Sequence, residues 1–145
     1  MNLDIIRSLR DIETCVDMYS AWDNPFPVDR AWCIKNMKEL WFRKKFIRVV
    51  RNPEIIAFII GDMTAWAHAK ERCFSQSYYC SNVHGIVAYR CMDLLHKEME
   101  IEARRLKSQF VMSSGRFDDT KCVFSRILEK LGWERYGILA LKRLT

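Results

Sequence analysis

The stretch YYCSNVHGIVAYRCM, Tyr78–Met92, contains the change of period that decides the fold. Its first residues close a run, Cys73–Cys80, a strand candidate that mixes Ser and Gln with Phe and Tyr. Ser81–Gly85 supplies turn residues and one glycine. From about Ile86 to Lys107 the spacing turns helical, with Ala88, Cys91, Met92, Leu95, Met99, Ala103 and Leu106 on one face. The first backbone N–H groups of such a helix have no partner, and its dipole adds about half a positive charge there. A glycine lets the backbone come close to a phosphate, so this strand, turn and helix form a ready anion site.

Working outward, Phe46–Arg51 and Ile55–Met63 are β-branched runs parted by Asn52, Pro53 and Glu54: a strand, a tight turn and a strand. Upstream, Leu3–Ser8 is β-prone, and Arg10–Trp22 carries Ile12, Cys15, Val16 and Tyr19 at helical spacing. Pro25 and Pro27 end that helix, and Asp29 is placed to cap a second one. The second helix sets Ala31, Ile34, Met37, Leu40 and Trp41 on one face. Downstream, Gln109–Ser114 predicts a short strand. A helix carrying Val123, Phe124, Ile127, Leu128 and Leu131 follows, with Asp118 or Asp119 as its cap and Gly132 at its end. The tail Trp133–Leu144 predicts one or two more strands. The order is β-α-α-β-β-β-α-β-α-β, which implies an α/β (α+β) domain with a mixed, mostly antiparallel sheet flanked by about four helices.

The 145 residues, half of them hydrophobic, fit a single domain with a sizeable core. No apolar run reaches the ~20 residues of a membrane span. The charged start MNLDIIRSLRD does not resemble a signal peptide, so the expectation is a cytoplasmic protein with no membrane partner. The net charge of +6 is concentrated: Arg30–Arg51 holds eight bases against Glu39 alone, +7 in one segment. Such a segment suits an anionic partner, nucleic acid or an acidic protein, or else is a solvated helix face. The six cysteines are scattered without a Cys-x-x-Cys pair and read as reduced core thiols. A zinc site drawn from Cys73, Cys80, His84, Cys91 and His96 would match no structural zinc spacing.

Two segments resemble the GNAT superfamily of acyl-CoA-dependent N-acetyltransferases, and the element order is similar over nearly the whole chain. Phe124–Trp133, FSRILEKLGW, is similar to that family's late helix ending in "YEKLGF", and Tyr78–Met92 to its pyrophosphate loop and following helix. The resemblance implies that Ser81, Asn82, Val83, His84, Gly85, Ile86 and Val87 bind acetyl-CoA. It also implies that neighbouring strands splay to admit the pantetheine arm, and that a backbone N–H polarises the thioester carbonyl. Asn82 stands at the usual Arg or Gln of the loop, Val87 at its second small residue, and Leu128 at the usual general-acid tyrosine. Tyr78, Tyr79 and Tyr136 are candidate substitutes for that acid, and the spacing selects none of them.

The implied function is transfer of an acyl group to an amine. The alternatives are a non-catalytic GNAT-fold protein, structural or associated with nucleic acid, similar to phage proteins of which some are virion components, and a DNA-modifying enzyme similar to the phage Mom proteins. Other residues carry two readings each. His84 is either a phosphate contact or a solvent-facing residue, and His68 either a base or structural. Tyr78 and Tyr79 either line a groove or divide between core and surface. Asp118, Asp119 and Thr120 either contact the cofactor or cap a helix. Trp22, Trp32, Trp41 and Trp66 lie in or beside the expected acceptor half; Trp32 and Trp41 also fit a helix packed on a sheet.

Overall fold

The computed structural model describes residues 1–21, 27–65, 72–113 and 123–134. The chain divides into two compact units, Met1–Ser113 and Ser114–Thr145. In the first, β1 (Asn2–Asp4), α1 (Leu9–Ser20), α2 (Arg30–Phe42), β2 (Phe46–Arg51), β3 (Ile55–Ala65), β4 (Arg72–Ser81), α3 (Gly85–Arg105) and β5 (Phe110–Met112) follow in chain order. The sheet order is β1-β2-β3-β4-β5. The first four strands are antiparallel neighbours, whereas β4 and β5 run parallel, joined through α3. This is the mixed, mostly antiparallel sheet that the sequence predicts.

Alternation along the strands sorts the core into two layers. Ile47, Val49, Phe58, Ile60 and Cys80 face α1 and α2, packing with Ile12, Cys15, Val16 and Met37. Phe46 and Arg48 face the other way: Arg48 lies over the Phe46 ring and pairs with Glu98 of α3. Cys91, Met92, Leu95, Met99 and Ala103 are buried on α3, the face the sequence spacing marks. Trp41 packs against the first layer, but Trp32 does not join it and stands 57% exposed. Ala31, expected on the same inward face, is also exposed.

Several ends differ from the sequence reading for a local reason. The first strand stops at Asp4, because Ser8 caps α1: its Oγ accepts from the Asp11 N–H at 3.3 Å. Asp29 caps α2 as expected, accepting from the Trp32 N–H at 3.0 Å. α3 starts at Gly85 rather than Ile86, and its end is reached before Lys107, which takes a left-handed φ of 56°. β4 reaches one residue further at each end than expected, β3 extends to Ala65, and β5 is shorter than Gln109–Ser114.

In the second unit the described element is α4 (Val123–Lys130). It ends in a Schellman arrangement: Trp133 N–H donates to Leu128 O at 3.0 Å and Gly132 N–H to Glu129 O at 3.1 Å, with Gly132 at φ 87°. That is the glycine stop read from the sequence. The caps Asp118 and Asp119, Thr120, and residues 135–144 of the expected C-terminal strands lie outside the described residues, as do Trp22, Trp66, His68 and Tyr136. Among the described residues no helix is long and apolar enough to cross a membrane.

Candidate functional site

The site begins with a fault in β4. Tyr78 pairs with Ile60 and Gln76 with Gly61, so Ser77 has no opposite number on β3 and the strand bulges there. A bulge leaves the extra residue out of the ladder and turns the strand. It also resets the alternation: Tyr79 enters the core at 8% exposure, while Tyr78, 39% exposed, faces the side of α1 and meets Tyr19 edge to face. The tyrosine pair therefore divides between core and surface. Burial raises the Tyr79 phenol above its ordinary value, against a hydrogen bond with Ser81, so it stays protonated.

Gly61, opposite the bulge, has no room for a side chain. A Cβ there would stand 2.7 Å from Cε1 of Phe74, whose ring is 1% exposed.

On its other edge β4 pairs with β5 only at Cys73, Phe74 and Ser75, opposite Phe110, Val111 and Met112. From residue 76 to Ser81, β4 has no strand on that edge among the described residues. Among the described residues, the pairing of these two parallel strands ends two residues short of the bulge.

A buried polar trio sits where the described pairing of β4 and β5 ends. His96 of α3 is 1% exposed and Gln76 4%. His96 Nδ1 lies 2.9 Å from Met92 O; a carbonyl only accepts, so Nδ1 carries the proton and Nε2 is the acceptor. Ser113 Oγ lies 3.0 Å from that Nε2 and also close to Gln76 Oε1; its one proton goes to either of these two acceptors. Burial lowers the His96 pKa to about 4, against the favourable bond to Met92, so the imidazole is neutral at physiological pH. The sequence reading placed His96 only in a hypothetical zinc set. Its signal was available, since it follows Met92 by four residues on the apolar stripe of α3.

At the far end of β4, Asn82 N–H still donates to Ile56 O at 3.1 Å, and the chain then turns into α3. His84 is the N-cap residue, exposed and without a side-chain capping bond. Gly85 takes a left-handed φ of 61°, and nothing lies within 4 Å of where its Cβ would be. Ser81, Asn82, Val83, His84, Gly85, Ile86 and Val87 are brought together as one turn and helix start. Ile86 points outward at 64% exposure and Val87 is half-buried.

The basic segment Arg30–Arg51 is largely engaged within the fold. Arg30 pairs with Asp17, Arg43 with Glu39, Lys45 with Asp62, Arg48 with Glu98, and Arg51 with both Asp4 and Asp11. Lys35, Lys38 and Lys44 have no ion pair among the described residues. The described cysteines are free thiols; Cys15, Cys73, Cys80 and Cys91 are buried. Among the described residues no three His, Cys, Asp or Glu side chains form a group that could hold a metal.

The fold is similar to that of solved proteins over almost the whole chain. An aminoglycoside antibiotic 6'-N-acetyltransferase from Acinetobacter haemolyticus matches 100% of this chain and 99% of its own at 14% identity, with a TM-score of 0.71. A ribosomal-protein-alanine N-acetyltransferase from Brucella melitensis matches 94% of this chain and 86% of its own at 14% identity and a TM-score of 0.71. A transcriptional regulator from Bacillus halodurans C-125 matches 99% of both chains at 14% identity and a TM-score of 0.73. At such identities the likeness is one of fold. The chain matches no protein-family model and no curated protein.

Proposed function

The chain has the GNAT fold, and from that premise we propose that it is an acyl-CoA-dependent N-acyltransferase that moves an acetyl group from acetyl-CoA to an amine. One observation carries this reading: among the described residues, the edge of β4 that leads from the bulge at Ser77 to the uncapped start of α3 at Gly85 has no partner strand. The residues present fit an elongated anionic thioester. The space beside Gly85 lies open to a phosphate, and the strand edge offers hydrogen-bonding groups along its length.

Acetyl-CoA, when bound, supplies the acyl group in an activated, thioester form. The N–H groups of Gly85, Ile86 and Val87 would hold its phosphates, helped by the positive end of α3. A backbone N–H at the bulge would serve as the fixed donor to the thioester carbonyl. The amine enters deprotonated. Leu128, 6% exposed, offers no proton at the place where the resemblance implies an acid. Tyr78, 39% exposed beside the bulge, and solvent would both be able to protonate a departing thiolate.

Calorimetric titration with acetyl-CoA, and with CoA as the comparison, tests this. Micromolar binding is expected. Gly85→Val is expected to abolish it while the fold survives, because a β-branched residue resists a positive φ. No binding at about millimolar acetyl-CoA would refute the reading, and unchanged affinity in Gly85→Val would refute the assignment of the turn.

A further inference from the structure

The acceptor side of the site is also shaped. Between α1, α2 and the sheet face beneath them lies a small cleft of about 50 Å³. A cavity needs some 10–15 Å³ to hold one water, so there is room for roughly three or four, about the end of an alkyl chain or the edge of one ring. Phe58, Ile60 and Met37 line it with apolar surface. Tyr19 and Tyr78 form an aromatic corner, ring centroids 5.3 Å apart and planes at 87°. Trp32 also lines the cleft and keeps 57% of its surface exposed, which places the mouth on its side.

Two features give this cleft a direction and a chemistry. Tyr78 is the residue directly after Ser77, so the lining of the cleft comes within one residue of the β4 bulge. Among the described residues, none of those lining it is charged. An ammonium group set against these lining residues would lose water and gain no carboxylate from them, which is costly, whereas an alkyl or aryl group would gain by leaving water. We infer that the cleft receives the apolar end of the acceptor, which is a primary amine on a short alkyl or arylalkyl body and not a polyamine.

This inference rests on the N-acyltransferase reading. The amine nitrogen remains at the mouth, toward the bulge, with the apolar body behind it. A single positive charge that stays in water can lose its proton there before reacting. A polyamine would have to drag a second charge across the aromatic corner.

The test is titration calorimetry of the full chain without carrier, using 2-phenylethylamine, 3-methylbutylamine and spermidine as probes. Acetyl-CoA is titrated in parallel. The two apolar amines are expected to bind at least about tenfold more tightly than spermidine, the factor that corresponds to 1.4 kcal/mol. Cys33→Phe, which fills the cleft, should remove amine binding and leave acetyl-CoA binding unchanged. Trp32→Ala, at an exposed position, should weaken amine binding about tenfold even if the first variant fails to fold. Equal or tighter binding of spermidine would overturn the inference, as would amine affinity that ignores both substitutions. Loss of acetyl-CoA binding in the wild-type chain with amine binding intact would instead refute the transferase reading and uphold the cleft.

Discussion

Lowering the pH should destabilise this protein through one histidine. His96 is buried with a pKa near 4, against 6.5 for an ordinary imidazole, and burial is the main cause. At about pH 7 the ring is neutral in both folded and unfolded chains and contributes no pH dependence. As pH falls through 6.5 the unfolded chain takes up a proton that the folded one refuses, so the unfolded state gains. The loss grows down to about pH 4 and is complete below it. At ~1.4 kcal/mol per unit the full effect is about 3 kcal/mol, a large part of the ~5–15 kcal/mol that holds a domain together. Urea denaturation followed by tryptophan fluorescence at about pH 7, 6 and 5 would read it. With a slope of ~1–3 kcal/mol per molar urea, the midpoint should fall by roughly half to one and a half molar per pH unit over which the full slope applies. His96→Gln sacrifices the bond to Met92 and lowers stability at every pH, yet its midpoint should vary far less over that range. A wild-type midpoint that is the same at pH 7 and pH 5 would refute the reasoning, and so would an undiminished slope in the variant.

Gly61→Ala should destabilise the fold by about 1–3 kcal/mol, since the added methyl meets the buried Phe74 ring at 2.7 Å and the Ser75 carbonyl at 3.3 Å; an unchanged melting temperature would contradict this. Asp29→Ala should cost about 1 kcal/mol through loss of the bond to the Trp32 N–H, visible in thermal unfolding. Arg51→Met should be the most damaging surface-charge change. Burial pushes the Asp11 carboxyl up, but hydrogen bonds from Arg51 and the Arg7 N–H outweigh it and hold the group below its ordinary 3.8. Asp4 is lowered in the same sense, and burial is again outweighed, by the Ile5 N–H and by Arg51. Such carboxylates stabilise the fold above about pH 4 and lose that contribution as pH drops through their folded values. In Arg51→Met the acid limb of the stability curve should therefore become shallower, and a limb identical to wild type would show that the pair contributes nothing.

Much of the local structure is legible in the chain because its signals are local. Asp29 caps α2 and Gly132 closes α4 for reasons contained within a few residues: a side-chain oxygen near an unpaired N–H, and a positive φ that glycine takes without strain. The buried faces of α1 and α3 follow from spacing alone. Ile12, Cys15 and Val16, and Cys91, Leu95 and Met99, could face one way only once the helices formed. The turn from Ser81 to Val87 is likewise a property of adjacent residues.

What the tertiary structure decided involves pairs distant in sequence. The bulge at Ser77 exists only against β3, where Ile60 and Gly61 fix two partners and leave one residue over. That single offset sends Tyr79 into the core and Tyr78 toward the cleft, which period-two alternation could not assign. The trio of Gln76, His96 and Ser113 joins three elements. In the sequence its members are ordinary polar residues, and only burial makes it obligatory that the Ser113 hydroxyl find an acceptor among them. The basic run from Arg30 to Arg51 shows the same limit from the other side. Its +7 is set by composition, but the fold brings carboxylates as remote as Asp4 and Glu98 onto it, because partly buried charge is stable only when paired. Sequence fixes which groups are present and their nearest neighbours; only the packed sheet fixes which distant groups become partners.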